Sequence, residues 1–349
     1  MTSTDERIEQ LVEAGMECLE AGDLAGASKA LERAKRTAKD HPAVFELEVT
    51  IALADGDEDG ALALCERAAE RSPEDPIPLL TAASIHFHDR GEHAAALSVL
   101  GRALELVDEE EDLVAAVTLK ADVLLDWGGE ANLREAREAL AELSTSAIDD
   151  PGTLVDIAEL WLSADDPARA RALADQLLAG DEAKEDAVLR ADALHLVGRI
   201  CDATGDVAGR TAAWREVRAL DLAESPPAWH LSEAEFDERA RAAIELLSDD
   251  AQRLLANVPI LVEETPSLEL VDSGVDPRLL GLFSGTPMPE ISSVGGNPQL
   301  THIHLFQRNI EHAAGDEDDL EEQIAITVLH ETAHFFGLDE DDLEARGLD

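Results

Sequence analysis

His330-Glu331-Thr332-Ala333-His334-Phe335-Phe336-Gly337-Leu338-Asp339-Glu340 is the stretch on which the reading of this chain turns. Its pattern is HExxHxxGxxE. On an α-helix, residues four apart stand one turn above each other, with Cβ atoms about 5–6 Å apart. His330 and His334 can therefore aim their imidazoles at one point. Zn²⁺ accepts imidazole nitrogen, and its catalytic sites use three protein ligands with a fourth position left open. Glu331 follows the first histidine directly, which puts it beside that open position, where a carboxylate can act as general base towards water. Gly337 is placed to end the helix and turn the chain back. Glu340 is thereby returned towards the metal as third ligand, with Asp339 as the alternative.

Outward from the motif, the acidic run Asp316-Glu317-Asp318-Asp319-Leu320-Glu321-Glu322 suits the positive end of a helix dipole, and Asp318 with Glu321 has capping-box spacing. A helix is expected from there through the motif. Its apolar side is Ile324, Ala325, Val328, Leu329, Thr332 and Phe336, and a second side carries Gln323, Thr327, His330 and His334. Upstream, Thr301-His302-Ile303-His304-Leu305-Phe306 alternates as a strand does, with both histidines on one face. If that strand borders the cleft, His302, His304 and Arg308 are candidates for lining it or stabilising an oxyanion, because the chain has no tyrosine to do so. The alternative is a polar face unrelated to the chemistry. Residues 272–300 are rich in Gly and Pro and predict an irregular wall to the cleft, with Gly285 and Pro287 setting its turns.

Residues 233–349 resemble the minimal zincin-like metallopeptidase family of prokaryotes, whose hallmark is HExxHxxGxxD or HExxHxxGxxE. The likeness extends to a leading helix (Phe236–Leu247), a strand (Val258–Glu263), the segment Leu280-Gly281-Leu282-Phe283-Ser284-Gly285-Thr286-Pro287, the strand over 301–306 and the motif helix. It implies that His330, His334 and Glu340 bind one Zn²⁺ per chain and that Glu331 is catalytic. Metzincins differ in having a third histidine and a later Met-turn; here the third position is Glu340, and no Met follows it.

The rest of the chain has another character. Residues 5–225 are rich in Ala, Leu, Glu and Arg at helical spacing. Turns at Gly22, Gly56, Gly91, Gly129, Asp165 and Gly205 recur every 34 to 40 residues. Small or apolar residues follow at the fifth and twelfth positions: Ala27 and Ala34, Ala61 and Ala68, Ala96 and Ala103, then more loosely Arg134 and Ala141, Ala170 and Leu177, Arg210 and Val217. This resembles about six tetratricopeptide-type helix pairs. Pro42, Pro73, Pro76 and Pro151 fall in links between helices, where they interrupt nothing. The expected organisation is a tetratricopeptide-like helical repeat array over 1–225, a linker over 226–232 and a small α+β zincin-like domain over 233–349. Stacked pairs would form a solenoid with an extended binding face. Trp127, Trp161 and Trp214 are expected in its core.

Composition bounds the partners. The formal net charge is −50, which argues against nucleic acid, whose affinity comes from neutralising phosphates, and against anionic membrane surfaces. Residues 1–229 carry 50 acidic side chains and residues 230–349 carry 27, so the acidity is no lone tail. A solvated surface, adaptation to salt, or attraction of basic partners would each account for it. Cys18, Cys65 and Cys201 lack metal spacing and read as buried thiols in a reducing compartment. No signal-peptide pattern opens the sequence, so a cytoplasmic protein is expected. The functional expectation is a zinc-dependent peptidase acting on a protein or peptide recruited by the repeats. The alternative is a catalytically weak or inactive, metal-stabilised domain in a repeat-based adaptor. The sequence leaves the oligomeric state open.

Overall fold

The computed structural model describes residues 4–39, 41–145, 148–245, 247, 249–255, 258–285 and 301–338. The chain divides into two compact units, Met1–Ala170 and Arg171–Asp349.

The first unit is built from helical hairpins. α1 (Thr4–Glu20) packs on α2 (Leu24–Ala38), α3 (Pro42–Ala54) on α4 (Glu58–Arg71), and α7 (Glu110–Trp127) on α8 (Glu130–Leu140). α5 (Ile77–Ser84) runs on through a π-helical turn, Ile85–Asp89, and packs on α6 (His93–Leu104). α9 (Pro151–Ser163) follows, then α10 (Pro167–Ala179), which crosses the division between the units.

The expected period is visible in the backbone. Gly22, Gly56, Gly91, Gly205 and Asp165 all have positive φ, and Asp165 is the one non-glycine described residue that does. At four of these five turns the side chain of the next residue caps the following helix; Glu92, after Gly91, makes no such bond. Asp23, Asp57, Asp166 and Asp206 accept the backbone N–H three residues on, at 2.8–3.1 Å, supplying one of the bonds that a helix start lacks. In the fourth pair Gly128 and Gly129 both have positive φ, and Gly129 is the N-cap of α8. The residue equivalent to Gly22 is therefore Gly128, one earlier than the spacing predicts. Arg134 and Ala141 are accordingly exposed, and Leu140 takes the buried position.

Ala27, Ala34, Ala61, Ala96 and Ala103 are fully buried, so the close helix contacts fall where small residues were expected. Trp161 and Trp214 are core residues, but Trp127 is 49% exposed and stacks on His93 at 5.7 Å. It sits at the last position of α7, where the helix ends and the core offers no cover.

The second unit contains α11 (Glu182–Glu185), the hairpin α12 (Ala187–Ala203) and α13 (Val207–Ala223), and the α+β region. That region comprises α14 (Glu233–Glu245), α15 (Asp249–Leu255), β1 (Ile260–Glu263), α16 (Leu268–Ser273), β2 (Gly281–Ser284), β3 (His302–Phe306), α17 (Gln307–Ala313) and α18 (Glu317–Phe335). The sheet order is β1-β3-β2, with β3 parallel to β1 and antiparallel to β2. Phe236, Ala240 and Ala243 of α14 share one core with Ile303 and Leu305 of β3 and with Ile324, Val328 and Phe335 of α18.

One local expectation is corrected. α18 is capped by Asp316, whose side chain accepts from Asp319 N, while Asp319 reaches back to Gly315 N. The cap thus falls two residues before Asp318. Residues 226–232 also hold specific contacts: Glu311, fully buried, accepts from Leu231 N and pairs with His230, and Trp229 donates to the Glu311 carbonyl.

Candidate metal centre

Helix α18 carries the motif because an acidic first turn starts it and Gly337, at φ +85°, ends it. The chain turns there so that Leu338 O lies 3.0 Å from His334 Nδ1. Nδ1 must donate in that bond, so in the neutral ring Nε2 is the acceptor nitrogen. It faces His330 Nε2 at 3.0 Å. Two nitrogens about 2.0–2.1 Å from one tetrahedral ion stand about 3.3–3.4 Å apart, so the pair needs little adjustment to hold zinc. A carbonyl on the far nitrogen is also the usual means of orienting a ligating histidine. These two donors therefore suit the ion. Glu340 and Asp339, expected to complete it, lie outside the described residues, and no group of three candidate ligands is found among those that are described.

Glu331 is 5% exposed, and its Oε2 accepts Phe283 N at 2.5 Å. Gly281 makes this approach possible: a Cβ there would lie 2.7 Å from Glu331 Cγ and 2.8 Å from Thr327 Cγ2. Thr327 and Glu331 consequently face strand β2 and are buried; the sequence pattern put Thr327 on the side that carries His330 and His334, apart from the apolar side. Among the described strands the order β1-β3-β2 makes β2 an edge strand and β3 the centre of the sheet. Leu280 O accepts from Phe306 N, and hydrogen-bonded pairs alternate along an antiparallel ladder. Gly281 and Phe283 thus direct their backbone groups away from β3, towards the motif helix.

The remaining candidates lie elsewhere. Ile303 and Leu305 of β3 join the core of α18, so His302 and His304, alternating with them, occupy the opposite face of the sheet. There His304 Nδ1 is 3.3 Å from Glu263 Oε2, and its ring stacks on Phe306. Burial holds the His304 pKa below its usual value; Glu263 opposes that shift and His302 adds to it. Arg308 donates to the carbonyls of Asp221 and Glu224 at the end of α13. His330 and His334 are brought together, with Glu331 on the same helix and its carboxylate on Phe283 N; His302, His304 and Arg308 do not join them.

Sequence reasoning missed the segment leading into β2. Arg278, three residues before the strand, donates from Nε and Nη2 to both oxygens of Asp221, each at 2.9 Å, and from Nη1 to Asp192 at 2.6 Å. Burial opposes its charge, but the two aspartates outweigh burial and raise its pKa. His195 Nε2 lies 2.8 Å from both oxygens of Asp276, which also accepts Arg278 N. Burial pushes the Asp276 carboxyl up, yet these donors hold it below its usual range. The only signal in the sequence was an arginine and two aspartates in a chain poor in basic residues.

Residues 255–348 match the family model of zincin-like metallopeptidases. The chain thus joins tetratricopeptide-like helical repeats to a zincin-like region, and the motif helix, β2 and β3 all lie within the matched span. No curated protein matches the chain. Among solved structures it is similar to PilW, a type IV pilus biogenesis factor, at 15% identity over 61% of this chain and 92% of that one, with a TM-score of 0.46. It is also similar to pilF of Pseudomonas aeruginosa, at 14% over 63% and 94%, TM-score 0.44. A thermophilic tetratricopeptide protein of Thermus thermophilus matches at 19% over 54% and 98%, TM-score 0.40. The repeat assignment rests on the hairpins, turns and caps described above. No helix among the described residues is long and apolar enough to cross a membrane.

Proposed function

We propose that the zincin-like region is a zinc-dependent peptidase acting on a protein or peptide engaged by the helical repeats. The observation that carries this reading is the convergence of His330 and His334 at 3.0 Å, with His334 oriented by Leu338 O and the Glu331 carboxylate buried beside them. Glu340, or Asp339, completes the ligand set. Zinc, when bound, supplies Lewis acidity towards a carbonyl and an acidified water.

The chain's own residues do the rest. Glu331 takes a proton from the attacking water and delivers it to the leaving amine. An extended substrate pairs along the outward edge of β2 and competes for Phe283 N–H, which releases the carboxylate for that work. The surface of stacked hairpins supplies the substrate-holding face.

A second reading has its own observation. The chain has no tyrosine, and His302, His304 and Arg308 are committed elsewhere, so among the described residues no expected side chain faces the site as an oxyanion donor. That favours a weakly active or inactive domain stabilised by its metal within an adaptor. Elemental analysis of untagged protein, beside His334→Ala, comes first: the peptidase and adaptor readings both expect about one zinc per chain, lost in the variant. A peptide-library digest then separates them. Cleavage abolished by Glu331→Gln with metal retained supports the peptidase; no cleavage by metal-loaded protein supports the adaptor. Absence of zinc from reconstituted wild-type protein overturns both.

A further inference from the structure

The family match begins at residue 255, yet the compact unit holding the motif begins at residue 171. The interval includes the hairpin α12–α13, whose hydrogen bonds and ion pairs to the zincin-like region are directed. They converge on residues 264–280, the connection between β1 and β2. Arg218 of α13 donates to Pro266 O at 2.6 Å, and Arg215 forms a two-bonded pair with Asp272 at 2.5 and 2.6 Å. His195 of α12 meets Asp276, and Arg278 spans Asp192 of α12 and Asp221 of α13. From the other side, Asn309 of α17 donates to Pro277 O and Leu279 O at 2.8 and 2.7 Å. The next residues are Leu280, whose carbonyl takes the first ladder bond of β2, and then Gly281 and Phe283 over Glu331.

We propose that the hairpin α12–α13 is a working part of the zincin-like unit, and that Arg278 is the positioning residue through which it sets strand β2 against Glu331. Strand β2 is four residues long and, among the described residues, pairs with β3 alone, so its own ladder fixes it weakly. A guanidinium bridging carboxylates on two helices fixes the entry to the strand in both position and angle. Lysine cannot reproduce that bridge, because an ammonium lacks the planar fork. The last helix pair thus serves the repeat pattern in sequence and the catalytic strand in space.

The proposal rests on Glu331 as the working carboxylate, but its test reads placement and not turnover. Hydrogen exchange is measured on the full-length chain for wild type, Arg278→Gln and Arg278→Lys, following residues 279–285, 187–223 and 324–335, together with zinc content. Arg278→Gln is expected to speed exchange over 279–285, Phe283 N–H included, by about ten- to hundredfold, the scale of losing charged hydrogen bonds. Exchange over 324–335 and zinc content stay as in wild type, and Arg278→Lys falls between. Unchanged exchange over 279–285 overturns the proposal. Equal acceleration over all three segments also overturns it, since Arg278 would then be only a general stabiliser. If Arg278→Gln does not fold, Asp192→Ala, which removes one of the three side-chain bonds, is judged by the same two criteria. Failure of the peptidase reading shows separately, in the zinc analysis and the Glu331→Gln digest.

Discussion

Hairpin α1–α2 and hairpin α12–α13 come from the same repeating pattern, but they are used differently. The first buries Ala27, Ala30, Leu31 and Ala34 against its neighbours, and Ile8, Leu11, Val44 and Leu47 complete an apolar cluster. The last buries an apolar stripe as well, but it also directs Asp192, His195, Arg215, Arg218 and Asp221 onto the segment before β2. Apolar contact is non-directional and tolerates sliding; bidentate guanidinium–carboxylate pairs fix geometry. A repeat that only stacks needs the first kind of contact. One that must hold a strand in register over a carboxylate needs the second.

The strongest way to break this comparison is to cut the chain at the two candidate boundaries. A fragment spanning residues 171–349 keeps every contact to 264–280 and is expected to fold and bind zinc. A fragment spanning 226–349 starts at the pattern break, Pro226-Pro227, and lacks α12 and α13. Arg278 then loses Asp192 and Asp221, and Arg308 loses its carbonyl acceptors. These bonds are partly exposed and each charged one is worth about 1.5–3 kcal/mol at most, less where water replaces the partner, against a typical domain stability of about 5–15 kcal/mol; the shorter fragment is therefore expected to be the less stable of the two. Circular dichroism and zinc content of the two fragments decide the matter. Equal folding of both would mean that the hairpin is dispensable.

A smaller effect sharpens the comparison within the hairpins. Gly198 of α12 lies against the indole of Trp214 of α13, and a Cβ there would sit 2.0 Å from Trp214 Nε1 and 2.1 Å from Cδ1. A rigid ring in a buried setting cannot retreat, so Gly198→Ala must push the helices apart, at about 1–3 kcal/mol for overpacking. Gly15 of α1 faces Leu47, with the nearest atoms the methyls at 2.7 and 3.0 Å. A leucine can change rotamer, and alanine gains up to about 1 kcal/mol of helix propensity over glycine. Gly15→Ala is therefore expected to leave stability within about 1 kcal/mol of wild type, as denaturant midpoints at constant slope would show.

What the sequence made legible was periodic or local. Six turns spaced 34 to 40 residues apart, the helix starts and the HExxH geometry all follow from residues near one another. Even Asp165, a non-glycine at a positive-φ turn, was found by spacing alone. The fourth turn slipped by one because two adjacent glycines satisfy the same pattern. The cap of α18 slipped by two because an acidic run offers several carboxylates at capping distance. Long-range facts were out of reach. Alternation places His302 and His304 on one face of β3 but does not say which face meets α18; that depends on the order β1-β3-β2. Arg308 reaches carbonyls 84 and 87 residues away, and Arg278 reaches carboxylates 57 and 86 residues away. No local pattern encodes such pairs.

The smallest expected effect concerns the face of β3 turned away from α18. Burial depresses the His304 pKa, with Glu263 opposing and His302 reinforcing that shift. An unfolded chain takes up the proton near the ordinary histidine value of about 6.5, while the folded chain resists it until the pH is lower. Between those values the unfolded state binds more protons, so stability rises with pH and is lost as pH falls through the histidine range. Asp276, held low by His195 and the Arg278 amide against the effect of burial, contributes with the same sign but only below about pH 4, where unfolded carboxylates titrate. The two windows are separate. Denaturant unfolding of the second unit at pH 7.5 and pH 5.5 should show wild type losing stability on acidification, and His304→Gln losing less. Equal losses in the two proteins would place the titrating group elsewhere and leave the buried face of β3 without a role in the acid response.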